Sequence, residues 1–285
     1  MPLLKEKLLR LQELSKQRPQ YSEIYSFYSG LCTFLQGNTA SWLSCTPELE
    51  SWAARRQAGF PLLSRDALQI DTAQANRFIA ALINCLLNLG QEGQAELKQI
   101  AEALATDNFP SEKLLIACLE KDRAPFAAAA EQLQTPAALL EYVCSTTLAS
   151  GLQQWLDKVP PPQIGGWQEG YCPICGAIPA MGELVGDEGQ KKLHCSLCAT
   201  SWDITRIKCS YCGIEKTDGL EYFTAAGEIG YRVDICRKCS CYLKVVDSRE
   251  LGSGLPMDVE DINTMHLDLL AQKEGFAKGK IEQKS

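Results

Sequence analysis

The hydrophobic positions of this chain follow two rhythms. Over roughly the first 155 residues apolar side chains recur every three or four positions, the spacing of a helix that buries one face. Leu3, Leu4, Leu8, Leu11 and Leu14 keep that spacing until Pro19 stops it. Ser22–Leu35 continues it, with Tyr and Phe on the apolar side, and helices are predicted over Pro47–Ala58, Thr72–Leu89, Gly93–Ala105, Ser111–Lys121, Arg123–Leu133 and Pro136–Leu156. Ser111 stands where an N-cap would, and Pro47, Pro125 and Pro136 lie near helix starts, where a missing amide donor costs little. Almost nothing here alternates with a strand period, so an all-α bundle is expected.

Val159-Pro160-Pro161-Pro162 and then Gly165-Gly166 cannot continue a helix and mark a joint. Beyond it the pattern shortens to β-like runs at Gly182–Val185, Lys192–His194, Trp202–Ile207, Leu220–Thr224, Tyr231–Ile235 and Tyr242–Val246. A last helix is predicted over Val259–Glu274, after the break at Pro256. The chain therefore reads as α+β. A helical domain (residues 1–163) precedes two tandem rubredoxin-like or zinc-ribbon modules (164–207 and 208–255) and a C-terminal helix and tail (256–285).

The second half carries the chemistry. Of 14 cysteines, Cys32, Cys45, Cys85, Cys118 and Cys144 are scattered through apolar helical runs and read as core, while nine crowd between Cys172 and Cys241. Eight of those form four CxxC pairs: Cys172/Cys175, Cys195/Cys198, Cys209/Cys212 and Cys236/Cys239. Two residues between cysteines let both sulfurs of a tight turn point at one ion, and two such knuckles complete a tetrahedral four-sulfur shell.

The first two pairs have 19 residues between them and the last two 23, and either length fits a ribbon. A duplication sets the pairing. CPICG and CSYCG open the modules, CSLCA and CRKCS close them, and an aromatic-led strand follows each closing pair at Trp202 and Tyr242. Two mononuclear ions per chain are expected, each closing its own hairpin. Zinc and iron both suit such a shell, and spacing alone favours zinc. Cys241 is the odd cysteine: an alternate ligand, a reactive thiol beside a metal, or a small buried side chain.

Charge and motif content narrow the functions. The net charge is −7, and the 14 Lys+Arg against 17 Asp+Glu of residues 171–285 form no basic stripe, which counts against nucleic acid. The N-terminus has no apolar leader, and the apolar run Phe78–Leu89 is too short to span a bilayer, so a cytoplasmic protein without membrane insertion is expected. Only His194 and His266 are present, and the chain lacks GxSxG, GxGxxG and GxxxxGK[ST]. The acids Asp258, Glu260 and Asp261 read as helix capping. No catalytic residue is assigned, and a non-enzymatic role is expected.

The stretch CPICG, LHCSLCATSW, RIKCSYCG and CRKCSCYLK, followed by EDINTMHLDLLAQKEGF, resembles the formate dehydrogenase accessory protein FdhE family over Tyr171 to Phe276. The resemblance implies a cytoplasmic assembly factor that binds the catalytic subunit of formate dehydrogenase, and it implies iron ahead of zinc in two rubredoxin-like sites. Cys172, Cys175, Cys195 and Cys198 would form the first site, and Cys209, Cys212, Cys236 and Cys239 the second. A rubredoxin-like electron carrier is the alternative reading, a zinc-ribbon nucleic-acid binder ranks below it, and homo-oligomerisation is left open.

Overall fold

A computed structural model describes residues 4–215 and 218–279. Leu3 of the predicted first helix and the tail beyond Gly279 lie outside them. In chain order the elements are α1 (Leu4–Gln17), α2 (Ser22–Gly37), β1 (Leu43–Cys45), α3 (Leu49–Gln57), β2 (Leu68–Ile70), α4 (Thr72–Leu89), α5 (Gln94–Ala105), α6 (Ser111–Glu120), α7 (Ala124–Leu133) and α8 (Ala137–Leu156). Then follow β3 (Pro179–Val185), β4 (Gln190–Cys195), β5 (Ser201–Ile204), β6 (Leu220–Phe223), β7 (Tyr231–Cys236), β8 (Cys241–Asp247), α9 (Ser248–Leu251), α10 (Met257–Asn263), α11 (Met265–Lys273) and β9 (Ala277–Lys278).

The described residues divide into two compact units. One holds those up to Pro47 and Leu63–Pro161; the other joins Glu48–Leu62 to the residues from Pro162 onward.

The first unit is helical around α8, whose Leu140, Val143, Cys144, Thr147, Leu148 and Leu152 are buried. It departs from all-α in one hairpin, β1 against β2, with Leu43 opposite Ile70. The hairpin seats on α8 at Gly151, where any Cβ would come within 2.8 Å of Trp42 and Leu43. Ser111 is not an N-cap: it is the first helical residue, and its buried hydroxyl bonds to Asn76 instead of to its own helix. The predicted α4, by contrast, starts on a working cap, Asp71 accepting from the Gln74 amide at 3.0 Å.

The second unit is built on a seven-stranded sheet, in the order β5-β4-β3-β8-β7-β6 with β9 paired to β8. Each ribbon contributes a three-stranded antiparallel meander. The two ribbons are not independent hairpins. β3 pairs in parallel with β8, Gly182 opposite Val245 and Leu184 opposite Asp247, and so fuses them into one sheet.

On one face the apolar residues of β7 and β8 (Tyr231, Val233, Ile235, Tyr242, Val246) pack with Met181 against Met257, Leu267, Ala271 and Phe276. The predicted C-terminal helix is two, broken at Thr264, whose hydroxyl donates to the Glu260 carbonyl at 2.7 Å. Asn and Thr side chains that bond to nearby backbone compete with helix continuation.

The acidic run does not cap α10, whose N-cap is Pro256 with no side-chain bond. It pins the helices to the sheet. Glu260, fully buried, accepts from Tyr231 Oη at 2.5 Å. Lys244, 1% exposed, holds Asp261 Oδ1 and Asp268 Oδ2 at 2.7 Å each, and Tyr242 Oη donates to Asp268 at 2.8 Å.

Lys244→Ala would strip Asp268 of its cation and leave Asp261 only the more distant Lys278, at 3.7 Å. Removing one partner of a buried ion pair costs about 3–5 kcal/mol, and because both aspartates reach solvent in part the lower end is expected. Urea denaturation read by circular dichroism measures it, and an unchanged midpoint would show that the ion cluster does not hold the helices down.

Candidate metal centres

Each knuckle is made by a turn that ends in the left-handed region. Gly176 (φ 71°) and Gly213 (φ 70°) close the opening knuckles, where glycine adopts this conformation without strain. Ala199 (φ 59°) and Ser240 (φ 54°) close the second knuckles in the same conformation at a steric cost. The amide of Gly176 donates to the Cys172 carbonyl at 2.9 Å and that of Gly213 to the Cys209 carbonyl at 3.1 Å, so the two opening turns superimpose in their bonding.

The turns aim backbone amides at sulfur. Ile174 N lies 3.4 Å from Cys172 Sγ, Leu197 N and Cys198 N lie 3.3 and 3.4 Å from Cys195 Sγ, and Tyr211 N lies 3.4 Å from Cys209 Sγ. Such bonds favour the thiolate form a metal needs.

The structure brings together Cys172, Cys175, Cys195 and Cys198 as one set and Cys209, Cys212, Cys236 and Cys239 as another, with the sulfurs of each set within 4.8 Å of one another. In the first set the close pairs are Cys172–Cys198 at 3.5 Å, Cys175–Cys195 at 3.4 Å and Cys175–Cys198 at 3.5 Å. In the second, Cys209–Cys239 and Cys212–Cys236 each stand at 3.7 Å. A tetrahedral ion with sulfur ligands at about 2.3 Å spaces them about 3.8 Å apart. Two groups of four cysteines could therefore each hold one metal ion.

Electrostatics agree with the geometry. Burial pushes the Cys172 and Cys195 thiols well above their ordinary value and Cys209 to about 11. Burial would raise Cys198 and Cys212 as well, but hydrogen bonds hold both below it, from the neighbouring cysteines at Cys198 and from the Ile214 backbone amide and then the neighbouring cysteines at Cys212. Four sulfurs packed this closely cannot all shed protons unless a cation sits among them.

The two sets differ in their surroundings. All four cysteines of the first are buried, whereas Cys212 is exposed and Cys239 half-buried in the second. Around the first set lies a segment that sequence reading had placed in the helical domain. Leu62 N donates to the Pro173 carbonyl inside the CPIC knuckle at 2.8 Å, and Tyr171 Oη donates to the Gly59 carbonyl at 2.6 Å. Nothing in the composition of residues 48–62 signals this, since the contacts are made through backbone.

Thr200 Oγ1 stands 3.2 Å from Cys198 Sγ, and Trp202 Nε1 donates to the Glu169 carbonyl at 3.1 Å. A Cβ on Gly170 would fall 1.6 Å from the Ser210 carbonyl oxygen, so glycine is required where the third knuckle crosses the approach to the first.

The remaining candidates stay outside both sets. Cys241 Sγ is half-buried and bonds to the Cys239 carbonyl at 3.2 Å. His194 Nε2 lies 2.8 Å from Glu183 Oε2, and His266 Nε2 lies 3.1 Å from Glu228. Cys45, Cys118 and Cys144 belong to the helical unit, and burial raises all three thiols, Cys45 and Cys118 to about 12.

Two adjoining family models match this half of the chain: the FdhE central domain over residues 171–206 and the FdhE C-terminal domain over residues 207–283. They meet between Arg206 and Ile207, in the segment that joins the two four-cysteine sets. Over residues 171–283 the chain belongs to the FdhE family.

Among its relatives, an FdhE homolog of Aquifex aeolicus is 40% identical over 116 residues, covering 39% of this chain and 40% of that one. An FdhE homolog of Citrobacter koseri is 30% identical over 197 residues, covering 68% of this chain and 56% of that one, and Protein FdhE of Salmonella choleraesuis is 29% identical over 199 residues with the same coverage. The chain thus matches about half the length of these family members. In fold it is similar to the crystal structure of the FdhE protein from Pseudomonas aeruginosa, with a TM-score of 0.67 at 22% identity over 97% of this chain and 93% of that one.

Two measurements follow from the geometry. Elemental analysis of anaerobically purified protein should give two ions per chain. Cys195→Ser should leave one and lower stability steeply, since an ion in such a module contributes on the order of 10 kcal/mol to its folding; a bridged cluster, or a single ion in the unaltered protein, would overturn the pairing. Ala199→Gly relieves a left-handed alanine and should raise stability by about 0.5–1 kcal/mol, whereas Gly176→Val should lower it. Thermal melts of the metal-loaded protein compare the two.

Proposed function

We propose that this chain is a cytoplasmic, non-enzymatic accessory factor for the maturation of formate dehydrogenase. In this reading it binds the catalytic subunit and carries two mononuclear ions, iron in preference to zinc. Cys172, Cys175, Cys195 and Cys198 hold the first, and Cys209, Cys212, Cys236 and Cys239 the second. The observation that carries the reading is the pair of four-sulfur sets, both lying inside the region matched by the FdhE domains. The link to formate dehydrogenase and the preference for iron both rest on the family resemblance.

The chemistry supports a scaffold. Four protein sulfurs complete a tetrahedral shell and leave no open position for substrate or water, which hydrolytic metal sites require. An ion held there supplies a structural clamp and, when it is iron, a one-electron couple. No helix of the described residues is long and apolar enough to cross a membrane. The acidic balance of residues 171–285 disfavours a nucleic-acid partner.

Electron transfer is the second reading. The exposure of Cys212 favours it, because a ligand sulfur at the surface shortens the path to a redox partner.

Deleting the gene in its host should lower formate dehydrogenase activity while leaving the catalytic subunit's transcript unchanged. Tagged protein should retrieve that subunit from cytoplasmic extract and, when purified without air, carry iron with a visible absorption spectrum. Normal formate oxidation in the deletion strain under every respiratory condition would overturn the accessory role and put electron transfer first. Colourless, zinc-loaded protein would remove the redox component and leave the scaffold.

A further inference from the structure

We infer that the cavity beside the second four-sulfur set is a docking site for an extended, carboxylate-bearing peptide segment of the client, a step that rests on the accessory reading above. The cavity, of about 330 Å³, lies between the Arg206–Tyr211 segment and the face of β6, β7 and β8 opposite the helices, and Cys209, Cys236 and Cys241 stand along its wall. Its volume falls in the range of genuine ligand pockets.

Its wall holds buried polar atoms that make no hydrogen bond within the protein. Ser210 Oγ, Arg232 Nε and Asp234 Oδ1 are buried there without a hydrogen-bond partner. Arg232 Nε does lie 2.8 Å from Asp234 Oδ1, an ion pair bent too far to count as a hydrogen bond. Buried polar atoms left this way call for an explanation. The Ser210 hydroxyl can donate to the carbonyl of a peptide unit, and the Arg232–Asp234 ion pair lines the same wall.

Charge complementarity gives the side chain. Lys191, Arg206, Lys208 and Arg232 line the cavity against the carboxylates of Asp234 and Glu221; Asp234 faces both Arg232 and Lys191 at 2.8 Å, Glu221 is engaged by Arg237, and Arg206 bonds to the Glu188 backbone carbonyl rather than to an acid. The site is thus locally cationic in a chain of net charge −7, which suits an acidic residue of the partner.

Shape gives the rest. Tyr222, 63% exposed with Arg232 stacked 4.7 Å from its ring, and Ile207, 52% exposed, offer an apolar rim. β6 is the outer strand of the sheet on this side, where an extended chain can lie alongside.

The test uses the purified full chain with both metals loaded. Its probes are the purified catalytic subunit of formate dehydrogenase from the same host, short overlapping peptides spanning that subunit, and free succinate. The peptides that bind should each carry Asp or Glu beside an apolar residue, and exchanging the acid for its amide should weaken them about tenfold or more. Arg206→Glu should weaken both peptide and subunit by a similar factor with metal content and circular dichroism unchanged. Lys98→Glu, an equal charge change on an exposed helix position, should not.

If the unaltered protein retrieves the subunit and Arg206→Glu does so equally well, the cavity proposal falls while the accessory reading stands. If the unaltered protein retrieves nothing, both fall. Bound peptides without a carboxylate would also overturn the proposal, as would succinate binding as tightly as the peptides, which would make the cavity a small-anion site.

Discussion

Two sets of four sulfur atoms, each set within 4.8 Å and its close pairs at van der Waals contact, set the terms for the second unit. As thiolates they repel one another, and burial raises the energy of each charge further. As thiols they stay neutral but give the chain little reason to converge on one point. A cation resolves the conflict, and the backbone is arranged for it: left-handed residues turn each knuckle back on itself, and amides point at sulfur. The strands leave the knuckles in the directions those turns dictate, so β3 to β8 inherit their positions from the metal-binding geometry.

The duplication explains the sheet as well as the sites. Each ribbon is a meander of three strands, with β6, β7 and β8 of the second corresponding to β3, β4 and β5 of the first. The ribbons join head to tail, the first strand of one against the last of the other, and a parallel pair such as β3–β8 needs a long crossover. The rest of the duplicated region is that crossover.

Lys191 records the resulting curvature. It sits on β4 yet reaches Asp234 on β7 at 2.8 Å. Three strand intervals would separate the two by about 14 Å on a flat sheet, so the sheet must curl toward this face. Gly182 on β3 lets the side chains of β8 close over this face: a Cβ there would stand 3.2 Å from Leu243 and from Val245. Curling makes one face concave and leaves the other convex, where α10 and α11 seat on their buried acid–lysine cluster.

Much of this was legible in the sequence, for physical reasons. Helical spacing is a local signal, so Thr72–Leu89 emerged with its true ends. CxxC spacing is a local geometric constraint, and the CxxCG repeat carried enough information to order the four knuckles. What escaped was non-local. Leu43–Cys45 and Leu68–Ile70 are too short to show alternation, and each becomes a strand only because the other is there. The 48–62 segment meets the first knuckle through its backbone, which leaves no residue signature. The β3–β8 seam joins Gly182 to Val245, residues whose apolar character suits an isolated hairpin equally well. Ser111 misled because a serine before an apolar run has two uses, and tertiary contact with Asn76 decided between them.

Chemically identical shells in unlike surroundings are what duplication followed by divergence leaves behind. The first set is closed in by Leu62, Tyr171 and Trp202, so an ion there is shielded from exchange with solvent or partner and acts on the fold. The second has a ligand sulfur at the surface and a cationic hollow against its wall. A buried shell offers a client no ligand sulfur to touch. An open one does, and a carboxylate docked against Arg206 and Arg232 would alter the electrostatics a few ångströms from the sulfurs. If only one of the two centres takes part in recognition, the physical asymmetry selects the second, where Cys212 is exposed and Cys241 lines the cavity.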